Sequence, residues 1–495
     1  MESIQFLITG FAAALQPTNL LFAVIGCFLG TLIGVLPGIG PAAGTAMLIP
    51  VTFALEPTPA IIMLTAIYYG SMYGGTITAV LINVPGEAAS AITCLDGYQM
   101  ARKGRAGAAL AVAAVGSFIG GTFAMAGLVF LALPMTALGL RFGPPEFFAL
   151  MVMGLTLVAG MAGRSMVRAL VSACIGLLIG MVGIDPVGGR PRFTFGQEEL
   201  LSGLQIVPVV MGLFGVGEIL LNAESGITRA FAAKVKDFFP TSADMRESAG
   251  SIVRGTLIGF LLGIIPGVGA IVTTFVSYVI ERKVSKTPEK FGTGMIQGVA
   301  GPETANNAHH IAALIPLFTL GIPTSATIAI IMGAFMMNGL VPGPTLFTEH
   351  ANFAWAVIAS LYISNVILLI MNLPMIPLWV VLLKIPYEIL FAVILAFCVL
   401  GAYSLDNSTF DIAVMIGFGV VGYLAKKFDF PLGPAVLTMI LGPLMENALR
   451  QSLEMSDGNF AIFMDRPIAA GLLLVAAVSL VASTLRVFSA VKEAN

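Results

Sequence analysis

The sequence predicts an all-α protein that crosses a lipid membrane many times, and three observations support this fold class. The chain has 495 residues, of which 58% are hydrophobic and 10% charged, whereas soluble domains carry about 25% charged residues. Its apolar runs are long and continuous rather than alternating, which in lipid favours helices over a barrel. Its 56 glycines and 28 prolines interrupt helices. We therefore expect about 10–12 transmembrane helices, some of them broken.

The same composition excludes several classes of function. The balance of 24 Lys and Arg against 26 Asp and Glu excludes a basic nucleic-acid-binding protein. The four cysteines have no CxxC spacing, which predicts neither a zinc site nor a disulfide framework. The chain has no Gly-Lys pair and no His-Glu pair, so it lacks a Walker A loop and an HExxH motif. We expect neither enzyme activity nor a cofactor, with Na⁺ considered below as a coupling ion.

Nine apolar runs are candidate full spans, and basic residues assign their sides. The runs are residues 108–133, 146–162, 167–182, 201–221, 353–375, 387–403, 410–425, 432–444 and 467–487. Short cytoplasmic loops are enriched in Lys and Arg, and the first 101 residues contain neither. The five basic clusters are residues 102–105, 164–168, 229–254, 282–290 and 426–427. Placing them inside leaves residues 185–199, 345–350 and 405–411 outside and favours an outer N-terminus.

The apolar run 255–280 lies between two basic segments, residues 224–254 and 281–290. If both are cytoplasmic, the run must leave the membrane on the side from which it entered. Each limb around Pro266-Gly267-Val268-Gly269 spans about 18 Å as a helix, which is too short for a hydrocarbon core of about 30 Å. A re-entrant helical hairpin with a Pro-Gly tip fits this length. One kinked transmembrane helix is the alternative.

An internal repeat relates the two halves of the chain. GTLIGVLPGIG at residues 30–40 matches GFLLGIIPGVG at 259–269, which aligns Pro37 with Pro266, and further along the string around Pro85 aligns with that around Pro323. The charge assignment inserts the halves in opposite directions, as in many secondary transporters with inverted-topology repeats. We therefore expect a first inverted repeat at 1–222, a cytoplasmic linker at 223–254, a second inverted repeat at 255–450 and a C-terminal helix at 451–495. Each repeat would contain a re-entrant hairpin and a broken helix.

Paired Gly and Pro interruptions in the two halves point to a substrate site. A broken helix in lipid persists only where protein or a water-filled cavity satisfies its freed backbone. The segments that begin after Pro85 and Pro323 offer helix N-termini, which suit a carboxylate. The predicted substrate-binding residues are those of the two breaks and two nearby amides: Pro85, Gly86, Ala88, Ala89, Ser90, Thr93, Pro323, Thr324, Ser325, Thr327, Asn306 and Asn307. The alternative is that these hydroxyls and amides bond the preceding turn or a neighbouring helix.

A carboxylate at membrane depth is costly and usually functional, but it repels an anionic substrate. Glu87 and Glu303 are therefore predicted to bind a coupling cation or proton, with helix capping as the alternative for Glu87. Carbonyl groups of unwound backbone suit Na⁺. The predicted cation-coupling residues therefore include the glycines of the two Pro-Gly tips: Gly38, Gly40, Gly267 and Gly269. We expect Na⁺ near Gly38 and near Gly267. His309 and His310 face different sides of a helix, which favours structural roles for them.

Six strings of this sequence carry a resemblance to a known family. They are GVLPGIG at 34–40, YGG at 73–75, NVPGEAAS at 83–90, LDGYQMARKG at 95–104, GVAGPETANN at 298–307 and LGIP at 320–323. Together they resemble the large membrane subunit of the tripartite tricarboxylate transporter family, the TctA type, over nearly the whole chain. The sequence departs from the resemblance at Thr324, where Gly is expected, and at His309-His310, where small residues are usual.

The resemblance implies a system of three proteins in the bacterial inner membrane and periplasm. Besides this large subunit, it implies a small membrane subunit of the TctB type and a periplasmic solute-binding protein of the TctC type. It implies import of di- or tricarboxylates driven by a Na⁺ or proton gradient. Analogy with other inverted-repeat hairpin transporters implies an elevator-like movement. A gated anion channel and a non-transporting membrane assembly subunit are the alternatives.

Overall fold

The computed structural model describes residues 2–36, 39–161, 165–185, 188–225, 240–382, 392, 395–396, 398–403 and 407–494. These residues are almost entirely helical, with one two-stranded hairpin. Six of the described helices are long and apolar enough to cross a membrane: Pro17–Val35, Pro57–Ile82, Ala106–Gly139, Ala351–Met371, Thr409–Lys427 and Leu432–Glu454. The predicted all-α polytopic membrane fold is therefore confirmed.

The first half of the chain contains the helices α1 to α10 and the short hairpin. The helices are α1 (Glu2–Ala14), α2 (Pro17–Val35), α3 (Gly40–Leu48), α4 (Pro57–Ile82), α5 (Thr93–Arg102), α6 (Ala106–Gly139), α7 (Pro144–Met161), α8 (Met166–Gly180), α9 (Ile206–Val210) and α10 (Gly217–Ser225). The strands β1 (Gly183–Ile184) and β2 (Pro191–Arg192) pair antiparallel, with Gly183 opposite Arg192. Short 3₁₀ turns lie at Ile49–Thr52, Ala88–Ala91 and Glu198–Leu200.

The second half contains the helices α11 to α22. They are α11 (Ser242–Gly263), α12 (Ala270–Val284), α13 (Gln297–Ala312), α14 (Leu314–Leu320), α15 (Ala326–Met337), α16 (Pro344–Thr348), α17 (Ala351–Met371), α18 (Ile376–Leu382), α19 (Thr409–Lys427), α20 (Leu432–Glu454), α21 (Ile462–Asp465) and α22 (Pro467–Ala494). A 3₁₀ turn lies at Pro288–Lys290.

Seven of the predicted spans coincide with helices, and the others differ or lie outside the described residues. The predicted span 201–221 is divided into α9, a π-helical turn at Met211–Val216 and α10, because Gly212 in that turn packs directly against the backbone of α19. The apolar helices α2 and α4, with 19 and 26 residues, lie where the sequence predicted only a hairpin and a broken helix. The predicted span 387–403 lies mostly outside the described residues.

The predicted cytoplasmic linker 223–254 becomes helical at Ser242, where α11 begins. The Thr241 hydroxyl accepts a hydrogen bond from the Asp244 backbone N–H at 3.1 Å, and Asp244 accepts one from the Thr241 N–H at 3.1 Å. This capping box satisfies two otherwise free donors and starts the helix there. Residues 226–239 of the predicted linker lie outside the described residues.

Helices α11 and α12 form an antiparallel hairpin whose tip is residues 266–269. Near its base, Glu281 on α12 accepts hydrogen bonds from Arg254 at 2.8 Å and from Ser251 at 2.6 Å, both on α11. A single kinked helix over residues 255–280 would separate these positions by about 40 Å. The contact is therefore incompatible with one spanning helix. That the hairpin enters the membrane and returns stays a prediction.

Cysteines placed on both sides of this hairpin are expected to face the same side of the membrane. Glu247, in the second turn of α11, and Lys286, just after α12, are exposed residues at the base of the hairpin. Each is replaced with cysteine in a background without the four native cysteines. A membrane-impermeant maleimide should label both in inside-out vesicles and neither in intact cells. A cysteine at exposed Glu349, which the charge pattern places outside, is the control with the reverse pattern. Labelling of the first two positions from opposite sides would contradict the re-entrant hairpin.

Glycines of α2 and α11 make equivalent close contacts in the two halves. A Cβ on Gly26, Gly30 or Gly34 of α2 would overlap the carbonyl oxygens of Met63, Ile67 and Ser71 on α4. A Cβ on Gly255, Gly259 or Gly263 of α11 would overlap those of Gly301, Ala305 and His309 on α13. The three glycines of α2 align with those of α11 in the alignment that pairs Pro37 with Pro266. The residues whose carbonyls they contact align with each other in the alignment that pairs Pro85 with Pro323. Small residues at these positions let the helix backbones approach closely.

Helices α4 and α13 correspond in the alignment of the two breaks and run in opposite directions. The Tyr68 hydroxyl of α4 donates to the His310 carbonyl at 3.2 Å, and the Thr76 hydroxyl donates to the Glu303 carboxylate at 2.5 Å. Residue numbers rise along α4 as they fall along α13, which defines an antiparallel pair. Their contact lies at the centre of the molecule, since α4 is buried from Pro59 to Leu81.

Candidate functional site

Glu303 lies buried in α13 and is bound by two hydroxyl groups of the first half. The Thr76 hydroxyl of α4 donates to Oε2 at 2.5 Å, and the Thr93 hydroxyl of α5 donates to Oε1. The Glu303 side chain is 1% exposed, and within the described part of the chain no ion pair neutralises it. A buried carboxylate held by neutral donors alone is costly, and the role predicted for Glu303 in binding a cation or proton stays a prediction.

Glu87 lies next to this position, in the break that follows α4. Its Oε1 accepts a hydrogen bond from Asn306 Nδ2 at 2.5 Å, and Asn306 lies three residues after Glu303 on the same face of α13. A Cβ on Gly75 would lie 2.8 Å from Glu87 Cγ, so a glycine there allows the carboxylate to approach α4. The structure thus brings together two predicted carboxylates from different halves of the chain.

Two buried amide oxygens at this contact have no hydrogen-bond partner among the described residues. They are Asn306 Oδ1 and Asn307 Oδ1, while the Asn307 side chain also interacts with the Tyr73 hydroxyl. Asn306 and Asn307 are at most 1% exposed. Buried polar groups are normally paired, so these two oxygens are available to a ligand that supplies a donor or a cation.

At the first break the predicted helical segment begins as a 3₁₀ turn at Ala88–Ala91 and continues as α5. The Ser90 hydroxyl donates to the carbonyl oxygens of Glu87 at 2.9 Å and Gly75 at 3.3 Å, which is the local bonding given as the alternative. Gly86 is buried, Pro85 is half-buried and Ala88 is exposed. Helix α5 begins only at Thr93, because Ser90 N–H bonds the Glu87 carbonyl and tightens the turn.

The second break begins a helix, as predicted. Gly321, the residue after α14, has a φ of +70°, and Asn83, the residue after α4, has a φ of 57°. These two aligned positions, one before each break, therefore both have a left-handed backbone conformation. The Ser325 hydroxyl accepts from the Ile328 N–H at 3.3 Å and caps α15. The Thr324 hydroxyl donates to the Ala313 carbonyl at 3.3 Å. Pro323, Thr324 and Thr327 are buried.

The hairpin α11–α12 contacts both breaks. The Thr274 hydroxyl of α12 donates to the Ala89 carbonyl at 2.9 Å, and the Gly267 N–H donates to the Thr324 carbonyl at 3.4 Å. Gly267 lies in the tip before α12, and Thr274 lies five residues into that helix. Within the described chain, the two breaks therefore contact the hairpin on either side of the start of α12.

The predicted Na⁺ sites lie at the hairpin tips. A Cβ on Gly40 or Gly269 would meet nothing within 4 Å, so these two glycines, which are equivalent in the repeat, border open space. Gly267 uses its N–H to bind the second break. Gly38, together with Pro37, lies outside the described residues.

The sequence matches a model of the tripartite tricarboxylate transporter TctA family over residues 20–437. The chain belongs to the TctA family. An uncharacterized 52.8 kDa protein in the TAR-I ttuC′ 3′ region of Agrobacterium vitis is 46% identical over 476 residues, which cover 96% of this chain and 95% of the relative. An uncharacterized protein in the TAR-II ttuC′ 3′ region of the same organism is 45% identical over 215 residues, 43% of this chain and 89% of that relative. No solved structure matches the chain.

Sequence reasoning missed an asparagine that holds the α4 face of this TctA-family protein. Asn365 Oδ1 on α17 accepts from the hydroxyls of Tyr69 at 3.0 Å and Tyr73 at 2.9 Å. Its Nδ2 donates to the Phe118 carbonyl and the Thr122 hydroxyl on α6, each at 3.0 Å. The two tyrosines lie one helical turn apart on an apolar helix, and this spacing was the available signal. Their partner lies in the other half of the chain, so the sequence could not identify it.

Replacing Asn365 with leucine is expected to lower the free energy of unfolding by about 1–3 kcal/mol, because it removes the shared acceptor of two buried tyrosine hydroxyls, which then have only each other and Asn307 as partners. Thermal unfolding of the purified protein in detergent measures the change. Asn372→Leu at the end of the same helix is the matched control, since Asn372 Nδ2 bonds the preceding turn and its Oδ1 is already unpaired. Equal destabilisation by the two variants would contradict a structural role for the tyrosine contact.

The two adjacent histidines of α13 have different partners, in line with their predicted structural roles. His309 Nδ1 lies 2.9 Å from the Thr273 hydroxyl of α12. His310 Nδ1 lies 2.8 Å from the Asn306 carbonyl, which can only accept, so this nitrogen carries the proton. His309 thus connects α13 to the hairpin, and His310 supports the backbone at Asn306.

A cavity of about 810 Å³ lies away from these carboxylates. It is bordered by the residues before α2, α4 and α17, among them Gln16, Glu56 and Glu349. Thr76 lies about 30 Å beyond Glu56 along the helix. The cavity contains no predicted site residue, and the buried polar contact between α4 and α13 is the better candidate for transport chemistry.

Proposed function

We propose that this chain is the large membrane subunit of a binding-protein-dependent secondary transporter that imports di- or tricarboxylates by symport with Na⁺ or protons. The observation that carries the proposal is the buried pair Glu87 and Glu303, each held by a group from the other half of the chain. Membership of the TctA family supplies the class of substrate.

The two carboxylates are assigned to the coupling cation. A negative substrate approaching Glu87 and Glu303 is repelled until a cation or proton neutralises them, and this makes binding of the two ligands mutually dependent. The side-chain amides of Asn306 and Asn307 are assigned to the substrate, because their N–H groups can donate to its carboxylate, whereas Asn306 Oδ1 can only accept. Coupling then follows from electrostatics at one site.

The remaining predicted residues are assigned to the same substrate and ion. The first break offers Pro85, Gly86, Ala88, Ala89, Ser90 and Thr93, and the second offers Pro323, Thr324, Ser325 and Thr327. Because the breaks flank the start of α12, each is assigned to a different carboxyl group of the substrate. The tip glycines Gly40, Gly267 and Gly269 are candidates for Na⁺ coordination through their carbonyls.

The proposal includes partners, location and movement. We assign a TctB-type small membrane subunit and a TctC-type periplasmic binding protein as partners, and the bacterial inner membrane as location. The opposed directions of α4 and α13 support two inverted-topology repeats and, by analogy, an elevator-like movement.

Uptake into vesicles tests the proposed function. The chain is reconstituted with its small subunit, loaded binding protein is added outside, and uptake of labelled di- and tricarboxylates is measured with a Na⁺ gradient, a proton gradient, both or neither. Uptake should collapse when the coupling gradient is removed. Uptake that persists without either gradient, or currents far faster than carrier turnover, would instead support a gated anion channel.

A further inference from the structure

Asp96 on α5 is a buried carboxylate that binds backbone from the second half of the chain. Its Oδ1 accepts from the N–H groups of Gly294 and Met295, both at 2.7 Å, and of Gly292 at 2.9 Å. Its Oδ2 accepts from the Tyr278 hydroxyl of α12 at 2.8 Å. The residue is 0% exposed. One side chain thus joins α5, α12 and the loop that precedes α13.

The loop is shaped to receive this carboxylate. Gly292 and Gly294 have φ values of +84° and +106°, a conformation that favours glycine and lets neighbouring N–H groups converge on an anion. A Cβ on Gly298, at the start of α13, would overlap the Asp96 carboxylate. Three glycines therefore allow the close approach of α5 and α13.

The position of Asp96 relates it to the candidate cation site. Thr93 lies one turn earlier on α5, and its hydroxyl donates to Glu303. Met295 lies just before the start of α13, which carries Glu303. The Asp96 contacts hold α5 to the loop before α13, and the Thr93–Glu303 contact lies one turn earlier on α5 and about two turns further along α13.

We propose that Asp96 is a positioning residue that holds the Thr93 hydroxyl against Glu303 and so sets the affinity for the coupling cation. This inference rests on the proposed function. Asp96 does not touch the cation or the substrate; it acts by fixing α5 relative to the start of α13. It gives the LDGYQMARKG string, which includes Asp96, a role in transport.

The chemistry of the site requires a carboxylate at this position. Asp96 accepts from three N–H groups and one hydroxyl and donates to none of them. In Asp96→Asn, the amide oxygen can face the N–H groups while the NH₂ group faces the Tyr278 hydroxyl, which can turn to accept; the negative charge that strengthens these hydrogen bonds and the second contact of the Gly292 N–H are lost. Tyr278→Phe removes one donor and leaves the backbone contacts, so it is the milder variant.

Amide hydrogen exchange on the purified protein tests the contact without reference to transport. Asp96→Asn should accelerate exchange at Gly292, Gly294 and Met295, and Tyr278→Phe should do so to a smaller extent. Asp244→Asn is the matched control, since this buried carboxylate caps α11 and pairs with Arg105 at a separate position. Unchanged exchange at the three amides in Asp96→Asn would overturn the proposal whatever the transport result.

A double-mutant cycle then tests whether Asp96 acts through Thr93. In the assembled transporter, Asp96→Asn should raise the KM for the coupling cation about tenfold, with a smaller change in kcat. In a Thr93→Val background the same substitution should change the KM less than about twofold, because the contact that it positions is already absent. Independent effects of the two substitutions would overturn the proposal. If the unmodified protein shows no cation dependence, the proposed function fails, and the exchange measurement still decides whether Asp96 holds the loop.

Discussion

Replacing Glu303 with glutamine is expected to reduce gradient-driven carboxylate uptake by about 10- to 150-fold. Glutamine keeps the shape of the side chain, and the Thr76 and Thr93 hydroxyls can rotate to bond its amide, so the fold should persist. The charge that would bind the coupling cation is lost, and an interaction with a charged group contributes about 1.5–3 kcal/mol. Initial uptake rates with and without the imposed cation gradient measure the effect.

Glu146→Gln is the control for this experiment. Glu146 is also buried, but it pairs with Arg466 at 3.0 Å near the start of α7, away from the α4–α13 contact. This variant should retain uptake that depends on the gradient. If Glu303→Gln also retains it, with unchanged affinity for the cation, then Glu303 is not the coupling residue.

Replacing Gly86 with alanine is expected to destabilise the protein by about 3 kcal/mol, the upper end of the usual cost of overpacking. A Cβ at this position would overlap the Gly34 carbonyl and lie 2.7 Å from Gly75 Cα and 2.9 Å from the Thr78 hydroxyl. The first two are backbone atoms of α2 and α4, which cannot move without shifting Glu87. Thermal unfolding in detergent and uptake by the reconstituted protein should both reveal the loss.

Gly269→Ala is the matched control for Gly86→Ala. Gly269 also lies between two helices, in the tip of the α11–α12 hairpin, but its φ is −69° and a Cβ there would meet nothing within 4 Å. The added methyl group should leave the unfolding temperature nearly unchanged. A Gly86→Ala protein as stable as the Gly269→Ala protein would show that the first break tolerates displacement from α2 and α4.

The two breaks in the helices could be predicted from sequence because their causes are local. Proline lacks a backbone N–H and often ends or kinks a helix, although Pro134 and Pro302 lie inside α6 and α13. The breaks could be predicted because the strings around Pro85 and Pro323 align with each other. Left-handed residues end the helices before both breaks, at Asn83 and Gly321. After Pro85 the helical segment begins as a 3₁₀ turn, in which Ser90 N–H bonds the Glu87 carbonyl, and continues as α5.

The partners of the carboxylates depend on tertiary contacts, which the sequence does not reveal. Glu303 and Glu87 were predicted from the cost of placing a charge in lipid. Thr76, which binds Glu303, looks like any other hydroxyl on an apolar helix. Its role depends on the antiparallel contact of α4 with a helix from the opposite half of the chain.

The complete burial of α4 separates the candidate site from the lipid. Every residue of α4 from Pro59 to Leu81 is covered by protein, whereas α19 leaves most of its surface exposed. Hydrophobic mismatch acts on helices in contact with the acyl chains. When the bilayer thickness changes, these helices tilt or the bilayer around them deforms. Thickness changes reach α4 only through its protein neighbours, so the geometry around Glu303 should be insulated from the acyl-chain length of the membrane.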